Sequence, residues 1–195
     1  MSKLNSKTTC TGLDWNTMLG LLQRLKRDNR LQDYLLVATG CYFGLRVKDL
    51  LNLHWSDVMD KDEFNVTESK TGKRRLITLN VNVKEVLLHV YQSRKSKRSF
   101  SDDDFLFVNR WNDKLTIQYV NRRLHEIFLK YNVRVGNGSS HTLRKTFGKR
   151  VWEMDNQSEK SLVYLSEIFS HSSINTTKRY IGIVQQNIEN IYLNL

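Results

Sequence analysis

The chain has 195 residues, 39% of them hydrophobic, and sets 31 Lys+Arg against 20 Asp+Glu for a formal net charge of +11 at pH 7. That suits one packed domain with a tail, surrounded by a field that attracts polyanions, nucleic acid above all. No apolar run approaches the ~20 residues of a membrane span, the start MSKLNSKTTCTG lacks the apolar core of a signal peptide, and Cys10 and Cys41 make neither a disulfide framework nor a metal-ligand spacing with a histidine, so a reducing, cytoplasmic location is expected, with Cys41 a buried apolar residue.

Residues 1–11 are polar and are expected to form a flexible segment. Asp14 then reads as a helix N-cap before a stripe of Trp15, Met18, Leu19, Leu22 and Leu25. A second apolar helix is predicted over 32–43 and is broken by Gly44; a short one follows over 47–53. Val58, the 64–66 segment and 76–79 read as short strands, giving a small antiparallel sheet whose best hairpin turn is SKTGK at 69–73. Helical periodicity returns from about Val83 to Tyr91. The run SRKSKRSFSDDD at 93–104 reads as a solvated linker, and 105–108 as a short extended piece. Helices are predicted over 116–131, 141–154, 160–169 and 172–181, then a last amphipathic stretch over 184–193. The fold class expected is mainly α with a small antiparallel β-sheet (α+β): a flexible segment at 1–11, a catalytic domain at 12–183 and a C-terminal tail at 184–195. With no proline in the chain, Gly and Asn must supply the turns.

Four places hold cationic or titratable side chains with no evident packing role. Arg46 follows Gly44 in GLRVKDLLNL. Lys70 sits in the SKTGK turn. His141 and Arg144, three apart on one helix, share a face while Leu143 and Phe147 hold another. His171 precedes Tyr180 by nine residues in SHSSINTTKRYIGI. Taken alone, each reads as an ordinary exposed polar residue or, for Tyr180, as one half-buried aromatic among eight tyrosines.

Their order within one chain resembles the tyrosine recombinase (phage integrase) family. GLRVKDLLNLHWSDV is similar to its first arginine box, ESKTGKRRLITL to its hairpin lysine, HTLRKTFGKRVW to its second box, and LSEIFSHSSINTTKRYIGI to its final histidine and nucleophile. The resemblance covers roughly residues 12–190. Three departures stand out. Asp49 occupies a place usually held by Glu, Ser170 one usually held by Gly, and MDNQSEKS at 154–161 lengthens the Arg144–His171 gap.

The resemblance implies DNA cleavage and rejoining through a covalent phosphotyrosine, a site-specific strand exchange of the kind mobile elements and phages use. Tyr180 would be the nucleophile. Arg46 and Arg144 would meet the charge on the phosphate, and Lys70, with Lys73 as runner-up, would protonate the sugar leaving oxygen. His141 and His171 would donate to the phosphate, His141 also assisting proton transfer at Tyr180, and Asp49 would support the site. No metal, nucleotide or other cofactor is implied. Double-stranded DNA is the expected partner, bound by a homo-tetramer, with accessory DNA-bending proteins as further partners and none in a membrane. The tail behind Tyr180, with a stripe at Ile188, Ile191 and Leu195, would dock on a neighbouring protomer. Families of this kind usually carry an N-terminal DNA clamp; the start at Met1 favours a stand-alone short integrase, bacterial or encoded by a phage or mobile element, over a catalytic fragment. The competing readings are a type IB topoisomerase-like relaxing enzyme and a non-catalytic DNA-binding relative. Tyr192 is the alternative nucleophile.

Overall fold

A computed structural model describes residues 10–96, 100–183 and 192–194. The chain runs α1 (Trp15–Arg27), α2 (Leu31–Phe43), α3 (Val47–Leu50), α4 (Trp55–Val58), β1 (Glu63–Thr67), β2 (Arg74–Thr78), α5 (Val81–Lys95), α6 (Ile117–Lys130), α7 (Ser140–Met154), α8 (Glu159–Phe169) and α9 (Ile174–Ile181). The two strands pair antiparallel, Glu63 opposite Thr78 and Thr67 opposite Arg74. The class is therefore the expected one, mainly α with a small antiparallel sheet. No helix among the described residues is long and apolar enough to cross a membrane.

Side-chain oxygens start the helices. Asp14 accepts from the Asn16 and Thr17 amides, and Asn80, Thr116, Ser158 and Ser173 cap α5, α6, α8 and α9 in the same way. Each satisfies an amide that the helix itself leaves unpaired. Asparagine does much of the turning, as a proline-free chain requires: Asn29, Asn112, Asn132, Asn137 and Asn156 all sit at positive φ.

The central element is α2, which packs against α1, α5 and α7. Its ten buried residues lie all round it, as befits a helix enclosed on every side. Even Asp33 is buried; it pairs with Arg30 at 2.7 Å and with Arg123 at 2.9 Å. Gly40 and Gly44 let α7 approach closely. A Cβ on Gly40 would lie 2.5 Å from Leu143 Cδ1, and one on Gly44 2.5 Å from the Phe147 ring. Gly44 also has φ +56, so it ends α2 in the left-handed region.

The apolar interior falls into two clusters. The larger joins α1, α2, α5, α6 and the sheet, with Leu143 of α7 at its edge. The smaller lies among α7, α8 and α9 and contains Trp152, Leu162, Leu165, Phe169, Ile181 and Ile183. Both arginine boxes and Tyr180 lie at the junction of the two.

Three local expectations change. Val58 is helical rather than extended, because His54 and Asp57 form a reciprocal capping box that starts α4. The predicted 47–53 helix ends at Leu50, and Leu53 turns out to accept from the Leu106 amide at 2.9 Å. The 93–104 linker is not wholly solvated. Helix α5 runs on to Lys95, and Phe100 packs edge-on against Tyr91 and Trp55. Within the 1–11 segment, Thr11 exchanges hydrogen bonds with Gly136, and the Cys10 carbonyl accepts from Lys145. The expected tail stripe of Ile188, Ile191 and Leu195 lies outside the described residues.

Candidate active site

Arg46 leaves the α2 terminus in extended backbone and caps α3, where Leu45, Leu50 and Leu51 anchor the chain in the core. Its guanidinium is partly covered. Nη1 donates to Glu68 Oε2 at 2.7 Å and Nη2 to the Phe169 carbonyl at 3.0 Å. Arg144 lies on the second turn of α7 and is 3% exposed. Its Nη1 donates to the Gly44 carbonyl at 2.5 Å and its Nη2 to the same Phe169 carbonyl at 3.3 Å. The Phe169 ring lies under the Arg144 guanidinium at 4.3 Å. The two arginine boxes, 98 residues apart, therefore meet at the C-terminal carbonyl of α8, the negative end of that helix. Burial lowers Arg144 to about 10, which leaves it cationic at neutral pH.

That carbonyl is presented by Ser170, which ends α8 at φ 53 and ψ 47. The left-handed backbone explains why glycine suits this place. Serine is strained there by roughly 1–2 kcal/mol, and its hydroxyl donates to Glu68 Oε2 at 3.2 Å. His171 follows at once. Its backbone N–H donates to the Ser166 carbonyl, and its Nδ1 lies 2.9 Å from Thr177 Oγ1, a side chain with no exposed surface. Burial, then the charges of Arg144, Arg46 and Lys70, hold the imidazole below its ordinary value.

Helix α9 carries Tyr180 back over this cluster. Its ring meets Phe169 at 5.3 Å and His171 at 5.1 Å, both edge-on. His141, on the first turn of α7, brings Nδ1 to 3.4 Å from Tyr180 Oη. Although His141 is exposed as a whole, partial desolvation and the charges of Lys145, Arg144 and Arg46 keep it below its ordinary value. A neutral imidazole nitrogen beside a phenol can accept its proton. Tyr180 itself is pushed up to about 12 by burial; the Arg144 charge pulls down, more weakly.

The hairpin delivers Lys70 on the exposed Ser69–Gly72 turn, close enough for its charge to be felt at His171. Lys73 instead lines a cavity of about 390 Å³ behind β2, together with Phe43, Phe147 and Ile168. Asp49, expected to support the site, accepts from the Ser69 amide at 2.9 Å and so holds the base of the Lys70 turn. The carboxylate on Arg46 is Glu68. Burial alone would raise Glu68, but hydrogen bonds from Arg46 and Thr71, with the Arg46 and Arg144 charges, more than offset it and leave it below its ordinary value.

Glu68 escaped the motif reading, although its position carried a signal. Phe64 and Val66 face inward on β1, and period two puts residue 68 on the same buried face. Lys145 was missed as well. It is buried, donates to the Cys10 carbonyl at 2.6 Å, and lies 5.1 Å from the centre of the Tyr180 ring. A larger cavity of about 790 Å³, lined by Arg30, Asp33, Arg94 and Arg123 among others, includes none of the four motif sites.

The family model for the phage integrase family matches residues 13–186. The chain belongs to the phage integrase family. Among integrase relatives, the probable integrase/recombinase YoeC of Bacillus subtilis strain 168 is 33% identical over 174 residues, which is 88% of this chain and 86% of that protein. Tyrosine recombinase XerH of Campylobacter jejuni is 25% identical over 156 residues, 79% of this chain but 42% of that one. The chain thus spans under half the length of XerH and 56% of the TnP I resolvase of Bacillus thuringiensis. In fold it is similar to XerA recombinase, with a TM-score of 0.72 at 23% identity over 94% of this chain and 64% of that one. XerH bound to a palindromic difH substrate gives a TM-score of 0.69 at 21% identity, covering 98% and 56%.

Proposed function

We propose that residues 12–183 form the catalytic domain of a site-specific DNA recombinase that cleaves and rejoins double-stranded DNA through a phosphotyrosine at Tyr180. One observation carries the reading. Arg46 and Arg144 converge on one carbonyl, and Tyr180 Oη lies beside the same cluster with His141 Nδ1 at 3.4 Å. A phosphodiester drawn to the two guanidiniums would present its phosphorus to that oxygen.

A phenol held at about 12 is ionised to about one part in 10⁵ at pH 7. The proton must therefore leave as the bond forms. His141 Nδ1 takes it while Tyr180 Oη attacks phosphorus in line. Arg46 and Arg144 meet the charge that develops on the non-bridging oxygens, each contributing about 3–4 kcal/mol as preorganised donors do. Thr177, donating to His171 Nδ1, would leave the ring proton on Nε2 for a third donor to the phosphate. The P–O5′ bond breaks as Lys70 gives its proton to the leaving oxygen. The 3′-phosphotyrosyl bond keeps the free energy of the broken one, so a 5′-hydroxyl can reverse the step. Asp49 supports the turn that carries Lys70. DNA bound by several copies, as strand exchange requires, completes the reading; XerH and the Tn1549 integrase have been solved on DNA.

The test is covalent capture. A library of nicked duplexes, randomised in sequence, traps the intermediate because the short 5′-hydroxyl strand diffuses away. Wild type should give a denaturation-resistant protein–DNA adduct and Tyr180→Phe none. An adduct of equal yield in Tyr180→Phe moves the nucleophile elsewhere, and no adduct with wild type removes the enzyme reading.

A further inference from the structure

One carboxylate ties together three parts of the site that come from separate stretches of chain. Glu68 is 1% exposed. Its Oε2 accepts from Arg46 Nη1 at 2.7 Å, from Thr71 Oγ1 at 2.9 Å and from Ser170 Oγ at 3.2 Å. Arg46 belongs to the phosphate clamp, Thr71 follows Lys70 on the turn, and Ser170 precedes His171. The backbone of Glu68 binds the same turn. Its N–H donates to the Lys73 carbonyl at 2.9 Å, and its carbonyl accepts from the Gly72 amide at 2.8 Å and the Thr71 amide at 3.3 Å.

Packing does not call for a charge at this place. Phe64 and Val66 fill the same strand face with apolar side chains, and a buried carboxylate carries a desolvation cost that an apolar residue would avoid. Nor does phosphate affinity call for it, since a negative charge on Arg46 weakens the field a phosphate meets. What the carboxylate supplies is a direct side-chain tie from the Arg46 guanidinium to the Lys70 turn and to Ser170, beside the backbone tie of Ser69 to Asp49.

We propose that Glu68 is a positioning residue that sets the Lys70 turn against Arg46, so that the proton donor and the phosphate clamp keep one spacing. This rests on the recombinase reading. Glu68 acts through the turn and the arginine rather than on the reacting atoms. Its loss therefore impairs protonation of the leaving oxygen.

The experiment uses the duplex recovered by covalent capture, made in two forms. One has the natural 5′-oxygen at the scissile bond. The other has a bridging 5′-sulfur, whose thiolate leaves without a proton because a thiol is far more acidic than a sugar alcohol. Glu68→Gln should cleave the oxygen substrate about tenfold or more slowly, within the range of a misplaced general acid, and the deficit should shrink at least about threefold on the sulfur substrate. Equal deficits on both, or oxygen cleavage within about twofold of wild type, overturn the proposal. If Glu68→Gln does not melt cooperatively, Thr71→Val and Ser170→Ala, each removing one donor to Oε2, are scored by the same ratio. Wild type that cleaves neither substrate overturns the recombinase reading instead.

Discussion

Burial and charge oppose each other at Tyr180, and burial wins. Arg144 and Arg46 pull the phenol down, yet burial holds it up at about 12. Tyr180 is thus protonated at neutral pH, with His141 Nδ1 already 3.4 Å from its oxygen. An absorbance titration of wild type minus Tyr180→Phe should show one phenol with its midpoint near 12, against about 10 for a free one; a midpoint at or below 10 contradicts this. The linkage follows in sign. A phenol raised on folding contributes stability that is intact below pH about 10 and is lost as pH rises toward 12. The two imidazoles run the other way. His141 and His171 are lowered, so the unfolded chain binds protons first, and their stability contribution is whole above about pH 6.5 and fades below it. In single-turnover cleavage between pH 5 and 8, the acid limb should have its midpoint below about 6.5. A midpoint at or above that value would mean that His141 is not the base or is not lowered.

At the level of elements, the helices were legible because their starts are chemical. Asp14 and Thr116 announce α1 and α6 through the amides they cap. Gly44 announced the end of α2 but not the reason that end matters. Its missing Cβ admits the Phe147 ring, and its carbonyl takes Arg144 Nη1. Gly44→Ala adds left-handed strain to a clash, so we expect destabilisation of about 2–4 kcal/mol in urea unfolding, with cleavage falling as Arg144 loses its seat. A loss under about 1 kcal/mol contradicts the close fit. Val58 was misread because one capped turn, apolar at Trp55 and Val58 and polar between them, is too short for helical periodicity to show. Glu68 was illegible as a motif and legible as strand parity. The meeting of Arg46 with Arg144 was legible only through the family resemblance, since in physical terms it depends on where the Phe169 carbonyl comes to rest, 123 residues beyond Arg46.

For the whole molecule, the site lies where a large apolar cluster meets a small one. The arginines and the hairpin belong to α3, α7 and the sheet, while His171 lies in the link between α8 and α9 and Tyr180 on α9. The smaller cluster has less apolar burial to hold it, so it should open more readily. Hydrogen exchange should therefore be faster in α8 and α9 than in α2, and equal protection across all three would contradict the division. Opening there would carry Tyr180 away and, with the Phe169 carbonyl, the acceptor that Arg46 and Arg144 share. The family and the fold are shown by the whole length of the match; what this molecule does chemically turns on one oxygen atom. The most direct measurement is peptide mapping of the trapped protein–DNA adduct by mass spectrometry. The account predicts the nucleotide remnant on Tyr180 alone. A remnant on Tyr192, or on any other side chain, would contradict it.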